Sequence, residues 1–534
     1  ELLYDVTEYD AWIAIAGIVV FIEACRRVWG PILAAVGAAG VLYLAFGTDL
    51  PSIFGHSEFN IRQIAENIWF NMNKGVFGSL TNIIIGTVFV FIVFGVLLEG
   101  TGAGSTLLKF AFLATRKTRG GPAHAAIVAS SLFGAMSGST VANIVGTGTF
   151  TIPMIKKRGF KPAFAAGVEA TASSGGQIMP PIMGAAALVM ADLTGISYLT
   201  IAVAALVPAL LYYYSLFVSV SIEARKQGIE VHSLTIDDRI TRQDWINSIL
   251  FAAPILVVIL SLVWGSSTSR AGFNAIVVLL LLSVVNPDVR KHPKRLLDSA
   301  IKGGESGAIL IIAAATIGIL VGSLDSTGLG LKLANVIADT RGDGLMSSLL
   351  IAMIGALVLG MGMPTLPAYL IIVLVMGPAL QKLGVSVLTA HLFVFYYGVA
   401  SALTPPVAIA AYAAAPIAGA NPLTTSFVAF RLAVAKFVIP FAFAFYPSLL
   451  LVEQFSAAEF MWVLPRLLLA IWLLSTALCR FDRCRLSLPE VGLRFLSMIG
   501  LLMLDPIFHL PAIALAVILI IFDWQRSRKL VPAS

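Results

Sequence analysis

Apolar runs close to the length of a membrane-spanning helix recur along the whole chain. A helix needs about 20 apolar residues to cross the hydrocarbon core of a bilayer. The 534-residue chain is 58% hydrophobic and only 12% charged, whereas soluble domains carry roughly 25% charged residues. The mean hydropathy is +0.93. These runs predict an all-α polytopic membrane protein.

One apolar run, residues 163–191, contains the sequence SSGGQIMPP at 173–181 and a single charged residue, Glu169. As one straight helix it would measure about 43 Å at 1.5 Å per residue, which exceeds the ~30 Å hydrocarbon core. Glycine and proline pairs also disfavour a continuous helix. We therefore predict a helix broken at 173–181, in which Gly175 and Gly176 expose backbone carbonyls and the proline pair restarts the helix.

The chain contains an internal repeat whose two copies are related by a constant offset in residue number. The segment MSGST at 136–140 corresponds to MGMPT at 361–365, and MPP at 179–181 corresponds to TPP at 404–406, so the numbers differ by 225 in both pairs. The same offset relates Pro153 to Pro378, Lys157 to Lys382 and Gly159 to Gly384. A constant offset over several features indicates a repeat rather than a chance alignment of Ala- and Gly-rich helices.

Basic residues indicate that the two copies are inverted relative to each other. Cytoplasmic loops of membrane proteins are enriched in Lys and Arg. The flanks of the MSGST segment contain Lys109, Arg116, Lys117, Arg119, Lys156, Lys157, Arg158 and Lys161. The corresponding flanks of the second copy carry few basic residues. The basic residues that give the net charge of +7 lie in such short loops. They orient the chain in the membrane and do not indicate nucleic-acid binding.

The repeat and the loop charges divide the chain into five regions. These are an N-terminal membrane region at 1–78, a first inverted repeat at 79–222, cytoplasmic loops with connecting scaffold helices at 223–303, a second inverted repeat at 304–452 and C-terminal extra membrane helices at 453–534. Within the copies we predict re-entrant helical hairpins at about 122–152 and 345–380. Broken helices are predicted at about 162–195 and 387–417.

The first hairpin is predicted to turn at residues 137–139 and the second at GMGMPT, residues 360–365. Because proline lacks a backbone N–H, Pro364 is expected at the first position of the returning half-helix. The second broken helix is interrupted by ASALTPP at 400–406. Unpaired backbone groups at membrane depth must be buried in protein or line a polar cavity. The four interruptions therefore predict the location of a transport site.

Inverted repeats with broken helices around a midplane site are typical of secondary transporters. Helix N-termini provide positive potential for an anion, while opened carbonyls and hydroxyls provide oxygen ligands for a small cation such as sodium. The candidate ion- and substrate-binding residues are Ser137, Ser139, Thr140, Asn143, Ser173, Ser174, Gly175, Gly176, Gln177, Gly360, Gly362, Pro364, Thr365, Ser401, Thr404, Pro405 and Pro406. The alternative for any single Ser or Thr is a hydroxyl bonded back to its own helix.

Glu169 is a separate candidate, because a carboxylate inside a membrane segment is a functional candidate by default. It is predicted to carry a coupling proton or to balance a charge. The alternative is a structural pair with a nearby Lys or Arg. The equivalent position in the second copy is Val394, so the repeat does not require a carboxylate.

The sequence contains no constellation of catalytic residues, and we predict no enzyme activity. Cys25, Cys479 and Cys484 match no zinc or redox spacing, and the six histidines form no ligand pair on one helix. Nucleotide-binding loops and nucleophile elbows are absent from the sequence. We therefore expect no cofactor other than a coupling ion, Na⁺ or H⁺.

A family resemblance rests on four segments, FGAMSGSTVANIVGTGTFTIPMIKKRGF, ASSGGQIMPPIMGAAA, GMGMPTLPAYL and LTPPVAIAAYAAA. They resemble the large membrane subunit of tripartite ATP-independent periplasmic (TRAP) transporters. VEATASSGGQIMPP and FIEACRR resemble the fused permeases of the TAXI branch, and the resemblance covers roughly residues 11–450. It implies an elevator mechanism and a periplasmic TAXI-type binding protein that delivers an organic anion, typically a carboxylate. It also implies uptake driven by an ion gradient across a bacterial or archaeal inner membrane.

Carried over to this sequence, the family's cation sites fall on the hairpin-tip and break residues given above. Glu169 departs from the family pattern, because sodium-coupled relatives generally have a small or hydroxyl residue there. Sodium and proton coupling therefore both stay open. Residues 1–78 resemble the fused small subunit but contain fewer helices, so N-terminal residues are expected to be missing. The apolar segments at 459–523 have no assigned function.

Two other functions stay open. One is an ion-coupled elevator carrier for dicarboxylates that works without a binding protein. The other is an ion channel, because re-entrant hairpins also build selectivity filters, although channel filters usually repeat in parallel and not inverted. The expected partners of the leading function are the binding protein, the organic anion and membrane lipid, with no nucleic acid.

Overall fold

The computed structural model describes residues 6–51, 54–230, 240–330, 332, 335 and 344–530. The ends of the predicted regions 1–78 and 453–534 therefore lie partly outside the described residues. Regular structure in the described ranges is helical, apart from one isolated antiparallel bridge between Phe481 and Arg485.

Helices up to the end of the first broken helix are α1 (Glu8–Trp29), α2 (Pro31–Phe46), α3 (Ile61–Ala65), α4 (Ser79–Ile83), α5 (Phe89–Gly100), α6 (Ala103–Thr115), α7 (Gly121–Ser137), α8 (Thr140–Lys157), α9 (Pro162–Gly176) and α10 (Ala185–Thr194). A π-helical turn at Ile84–Val88 joins α4 to α5. Proline occupies the first turn of α2, α7 and α9, where its missing N–H leaves no hydrogen bond unmade.

The remaining helices are α11 (Tyr198–Lys226), α12 (Arg242–Val263), α13 (Thr268–Val285), α14 (Pro287–Lys291), α15 (Lys294–Thr327), α16 (Gly344–Gly360), α17 (Thr365–Lys382), α18 (Val387–Ser401), α19 (Ile409–Ala418), α20 (Pro422–Ala433), α21 (Ala435–Phe445), α22 (Ala457–Cys479), α23 (Leu488–Leu502) and α24 (His509–Leu530). Helix α15 has 34 residues and extends beyond the predicted repeat boundary at residue 304.

Among the described residues, ten helices of 18–34 residues are long and apolar enough to cross a membrane. Their exposed faces carry large apolar side chains such as Ile249, Val284 and Ile518. Helices satisfy their backbone hydrogen bonds internally, which is what a lipid environment requires. The structure therefore confirms the predicted all-α polytopic membrane protein. The positions of the helices relative to a membrane, including the re-entrant hairpins, stay predictions.

The chain forms two compact units, and the first comprises Glu1–Ala103, Ala185–Leu199 and Ile249–Ser401. In this unit α16, α17 and α18 pack against one another, and α10 contacts α17 and α18. Helix α15 packs along α2 and α5. A core that includes Ile18 and Ile319 holds the N-terminal helices to α15.

The second unit comprises Gly104–Gly184, Thr200–Ser248 and Ala402–Ser534. Helix α9 lies at its centre and contacts α7, α8, α19 and α20. The sequence of α9, PAFAAGVEATASSGG, is rich in Ala, Gly and Ser. Small residues let helix backbones approach closely where there is no hydrophobic drive between helices. Its composition therefore explains why so many helices meet at α9.

The C-terminal helices α22, α23 and α24 pack on one another within the second unit. Their common core contains Ala470, Leu473, Leu501, Ala512 and Ala516. Loose ion pairs at 3.7 Å join Asp482, in the loop after α22, to Arg225 and Arg494. This part of the chain is thus an ordered helical subdomain.

Candidate functional site

The first predicted hairpin is a helix–turn–helix formed by α7 and α8. Gly138 takes a left-handed conformation (φ 60°) after the end of α7, a conformation that glycine adopts without steric cost. Ser139 is the N-cap of α8, and its Oγ accepts a hydrogen bond from the N–H of Ala142 at 3.3 Å. The turn lies at the residues predicted for the tip.

The second predicted hairpin has the same form, with α16 and α17 joined at residues 361–364. Gly362 takes a left-handed conformation (φ 76°). The expectation for Pro364 is wrong by one position, because Pro364 is the N-cap of α17 and Thr365 is the first helical residue. Its φ of −62° and ψ of 157° are extended, and the proline ring is compatible with such an N-cap.

The first break consists of residues 177–184, between the end of α9 and the start of α10. The N–H of Gly184 donates to the carbonyl of Gln177 at 2.8 Å and closes the loop. The predicted break began at residue 173, which is wrong, because residues 173–176 still belong to α9. The carbonyls of Gly175 and Gly176 accept turn bonds from Ile178 and Met179. These two carbonyls are therefore hydrogen-bonded and not exposed, contrary to the prediction.

The glycine pair instead allows close packing. A Cβ atom on Gly176 would lie 2.4 Å from Cα of Gly134, on α7. A Cβ atom on Gly175 would lie 2.5 Å from Cε1 of Tyr212, on α11. Real Cβ atoms do not approach other heavy atoms so closely. The two glycines therefore bring α9 against α7 and α11.

The second break has a backbone similar to that of the first. Residues 402–408 separate α18 from α19, and the N–H of Ala410 donates to the carbonyl of Ala402 at 3.0 Å. Met183 and Ala408 occupy equivalent positions of the repeat, and both have positive φ, 63° and 31°. Such values are uncommon outside glycine. The peptide bonds of Pro180–Pro181 and Pro405–Pro406 are both cis.

Glu169 lies in α9 with no exposed surface and is surrounded by hydroxyl groups. Its Oε1 accepts hydrogen bonds from Ser130 at 2.7 Å, Thr147 at 2.6 Å and Ser173 at 3.1 Å. Its Oε2 accepts one from Thr151 at 2.5 Å. Glu169 forms no ion pair with any residue that the structure describes, and its hydrogen-bond partners there are hydroxyl groups.

All four of these partners of Glu169 are hydroxyl groups, and each hydroxyl can donate or accept a hydrogen bond by rotating. The same four groups can therefore satisfy Glu169 as a carboxylate or as a carboxylic acid. Sequence reasoning identified Glu169 and Ser173 but missed Ser130, Thr147 and Thr151. A signal for part of the set was present, since Thr147 and Thr151 are spaced i, i+4 and share one helix face.

Sequence reasoning also missed Lys436, on α21. The side chain has no exposed surface, and its Nζ lies 3.0 Å from Oγ of Ser174. The ammonium also lies over the ring of Tyr212, 4.2 Å from the ring centroid. A lysine within an apolar span is itself a signal of function. The sequence analysis placed Lys436 only within the second inverted repeat, residues 304–452.

The structure brings several predicted site residues together within the second unit. The Gln177 side chain donates to the carbonyl of Gly138 at 2.9 Å and so connects the first break to the first turn. The Asn143 amide donates to the carbonyl of Ser130 at 2.9 Å. Thr140 Oγ1 is buried without a hydrogen-bond partner among the described residues. Ser137 Oγ makes a long contact of 3.5 Å with the carbonyl of Ser139.

Within the first unit, Ser401 lies beside the turn of the second hairpin. Its Oγ donates to the carbonyls of Gly360 at 3.0 Å and Gly398 at 2.8 Å, so the alternative of a hydroxyl bonded to its own helix holds in part. Thr404, Pro405 and Pro406 lie in the loop of the second break, which belongs to the second unit. The carbonyl of Thr404 accepts a hydrogen bond from Ala408 at 3.1 Å.

The two copies differ in how well their residues suit sodium. The carbonyl of Gly360 and the hydroxyl of Ser401 offer neutral oxygens, which are ligands that hard cations prefer. Neither residue takes part in an ion pair within the described structure. In the last turn of α9, the hydroxyl of Ser174 accepts a hydrogen bond from the Lys436 amine at 3.0 Å. The oxygens at the second hairpin tip therefore have the chemistry that suits sodium, whereas the Ser174 hydroxyl already has an amine as its partner.

In the described part of the chain, ten helices are long and apolar enough to cross a membrane. Two helices broken at equivalent positions of a repeat are typical of membrane transporters. The sequence matches the family described as "Tripartite ATP-independent periplasmic transporter, DctM component" over residues 16–458. The chain belongs to this family. The matched range includes most of residues 1–78 and ends near the start of α22.

Curated relatives agree with the family. The C4-dicarboxylate TRAP transporter large permease protein DctM of Pseudomonas aeruginosa is 26% identical over 337 residues, covering 62% of this chain and 76% of that protein. The sialic acid TRAP transporter large permease protein SiaM of Vibrio cholerae is 23% identical over 431 residues, 78% of this chain and 97% of that protein. The Vibrio cholerae DctM is 27% identical over 216 residues, 40% of this chain and 44% of that protein.

These similarities confirm part of the sequence predictions. The chain is a multi-pass inner-membrane transporter permease of the TRAP type and not an enzyme. More detailed predictions remain beyond the family match. They are the TAXI branch, the fused small subunit, the coupling ion and the elevator mechanism.

Proposed function

We propose that this protein takes up an organic anion, a carboxylate, by ion-coupled secondary transport across the inner membrane. A periplasmic binding protein of the TAXI type delivers the substrate. The observation that carries this proposal is the pair of helix breaks with the same backbone at equivalent positions of the repeat, each preceded in the chain by a helix–turn–helix. Helices α8 and α17 begin at the two turns, and their N-termini suit an anion.

The substrate class is supported by the family. The P. aeruginosa and V. cholerae relatives are named for C4-dicarboxylates and for sialic acid, which are organic acids. The binding protein is proposed on the same ground, since the family takes its name from a tripartite periplasmic system. The inverted orientation of the two copies and the elevator motion are part of the proposal. Fusion to a small subunit has less support, because the family match begins at residue 16.

Glu169 supports proton coupling at the first copy. Its carboxyl group is buried, and its four partners can satisfy it with or without a proton. A group that changes protonation during transport needs such a set, because an unsatisfied buried partner is costly. Neutral oxygens at Gly360 and Ser401 support sodium at the second copy. Proton coupling and sodium coupling are therefore tested in the same experiment.

The experiment is uptake into proteoliposomes that contain the purified chain, with its cognate binding protein present or absent outside. Sodium and proton gradients are imposed separately for wild type, for Glu169→Gln and for Glu99→Gln. Glu99 is an exposed carboxylate at the end of α5 and serves as the matched control. We expect Glu169→Gln to lose proton-driven uptake and Glu99→Gln to keep it.

The outcomes separate the parts of the proposal. Uptake that does not need the binding protein would replace the tripartite function by a carrier that acts alone. Flux that fails to saturate with substrate would indicate a channel. Full proton-driven uptake by Glu169→Gln would show that Glu169 does not carry the coupling proton.

A further inference from the structure

Lys436 places an amine side chain inside the second unit. The residue is fully buried, and it forms no ion pair with any part of the chain that the structure describes. Its contacts are the Ser174 hydroxyl at 3.0 Å and the face of the Tyr212 ring at 4.2 Å. An aromatic face attracts a cation, most strongly away from water.

Ser174, the hydrogen-bond partner of Lys436, lies in the last turn of α9. This end of the helix carries a partial negative charge. Two carbonyls near this turn accept hydrogen bonds from tyrosines of α11. The Tyr212 hydroxyl donates to Thr171 at 2.8 Å and the Tyr213 hydroxyl donates to Ala172 at 3.0 Å. Among the described residues, the end of α9 is thus contacted by two tyrosine hydroxyls and by the Lys436 amine.

A metal ion that used the Ser174 hydroxyl as a ligand would lie close to the Lys436 ammonium. Two like charges at such a distance repel strongly in a buried, poorly solvated environment. A protonated Lys436 amine therefore supplies the cation that the end of α9 and the Ser174 hydroxyl attract. Nothing equivalent is present in the described residues around Gly360 and Ser401.

We propose that the Lys436 ammonium is the resident cation of the first helix break and excludes sodium from Ser174. The inference deepens the proposed function, on which it rests, by limiting sodium to the second copy. It predicts that the first copy needs no metal ion to keep the end of α9 in place.

The test measures the melting temperature of the purified full-length chain in detergent. Sodium chloride is compared with choline chloride at equal ionic strength, so that the screening of charges is the same. The variants are Lys436→Met, Lys436→Arg, Ser174→Ala and the double variant Lys436→Met with Ser174→Ala. Lys156→Met is the matched control, because Lys156 also donates to a helix-end carbonyl in the second unit, that of Ala418 at 2.6 Å.

Removing the Lys436 ammonium should allow sodium to bind at the Ser174 hydroxyl. We expect Lys436→Met to gain a sodium-specific rise in melting temperature of about 2–4 °C relative to wild type. The double variant should lose that gain, because the Ser174 ligand is missing. Lys436→Arg, which keeps the charge, and Lys156→Met should respond to sodium as wild type does.

Two results would overturn the proposal. One is a folded Lys436→Met variant whose sodium response equals that of wild type. The other is a smaller sodium response of Ser174→Ala in the wild-type background, which would show that sodium uses Ser174 despite the lysine. The second measurement decides the matter even if Lys436→Met is not recovered as a folded protein. Neither readout depends on uptake, so a failure of the proposed substrate or partner would be recognised separately.

Discussion

The two helix breaks share a backbone but not a charge pattern. Both close with a backbone hydrogen bond across the loop and contain a left-handed residue, Met183 in one and Ala408 in the other. Two fully buried ionisable residues are associated with the helix that ends at the first break, where Glu169 bonds to Ser173 and Lys436 contacts Ser174. The residues at the positions equivalent to Glu169 and Lys436 are apolar, a valine and a leucine.

This difference shows that the repeat preserves the course of the backbone more strictly than the chemistry beside it. A break needs its prolines, its small residues and its closing hydrogen bonds in either copy. The side chains that contact an ion can differ between the copies once the two copies have different functions. In this chain the helix before the first break contains the buried Glu169 and is contacted by the buried Lys436, which comes from the second copy. The second break has neutral oxygens beside it.

The largest effect should come from exchanging equivalent residues of the two breaks. Gly176 and Ser401 occupy equivalent positions of the repeat, and a Cβ atom on Gly176 would lie 2.4 Å from Cα of Gly134. Gly176→Ser introduces that clash with another backbone, and we expect it to lower the free energy of unfolding by about 3 kcal/mol. The measurement is the melting temperature together with the monodisperse fraction after purification.

Gly304→Ser is the control for this substitution, because a Cβ atom there would meet no heavy atom within 4 Å. A Gly176→Ser protein that melts with wild type would mean that α7 and α9 can separate without cost. The close contact at Gly176 would then not explain the glycine.

A smaller effect is expected from the hydroxyls that distinguish the first copy. Thr151→Val keeps the shape of the side chain but removes the hydrogen bond to Oε2 of Glu169. Leaving that buried oxygen without its donor should cost about 1–3 kcal/mol, measured as a fall in melting temperature. Thr149→Val, two positions away on the exposed face of α8, should change stability by less than about 0.5 kcal/mol. Equal effects of the two variants would contradict a special role for the Glu169 hydroxyl set.

The smallest effect is expected at the second copy. Ser401→Ala removes hydrogen bonds to the carbonyls of Gly360 and Gly398, which should lower stability by about 1 kcal/mol. It should also reduce the stabilisation of the protein by sodium, measured as the shift of melting temperature against choline. Ser323→Ala removes a similar local bond, to Ile319 on α15, and should leave the sodium response intact. A sodium response that survives Ser401→Ala would move the proposed sodium ion away from this residue.

Much of the fold was predictable from the sequence, because helix ends depend on local chemistry. Proline and glycine positions located both turns and both breaks to within a few residues. The errors were also local. The predicted start of the first break was too early because Gly175 and Gly176 were interpreted as helix breakers, whereas their role is to let other helices approach.

The side-chain site was less predictable, because its members come from distant parts of the chain. Lys436 lies 262 residues after its partner Ser174, and no spacing rule relates the two. The hydroxyls around Glu169 come from α7, α8 and α9, and only the pair on α8 shares a recognisable spacing. Burial of Glu169 was predicted from its apolar surroundings, but its partners required the packing of three helices.

The exchange of helix halves between the units has a consequence for synthesis of the protein. Helix α19, from the second copy, packs against α8 and α9 of the first copy, and α10 packs with the second hairpin. When the ribosome has finished the first copy, the small-residue surface of α9 still lacks a partner that will be made only much later. The first copy therefore waits in the membrane as an incomplete intermediate, and a truncated chain that ends before Ile409 should be a substrate for membrane quality control.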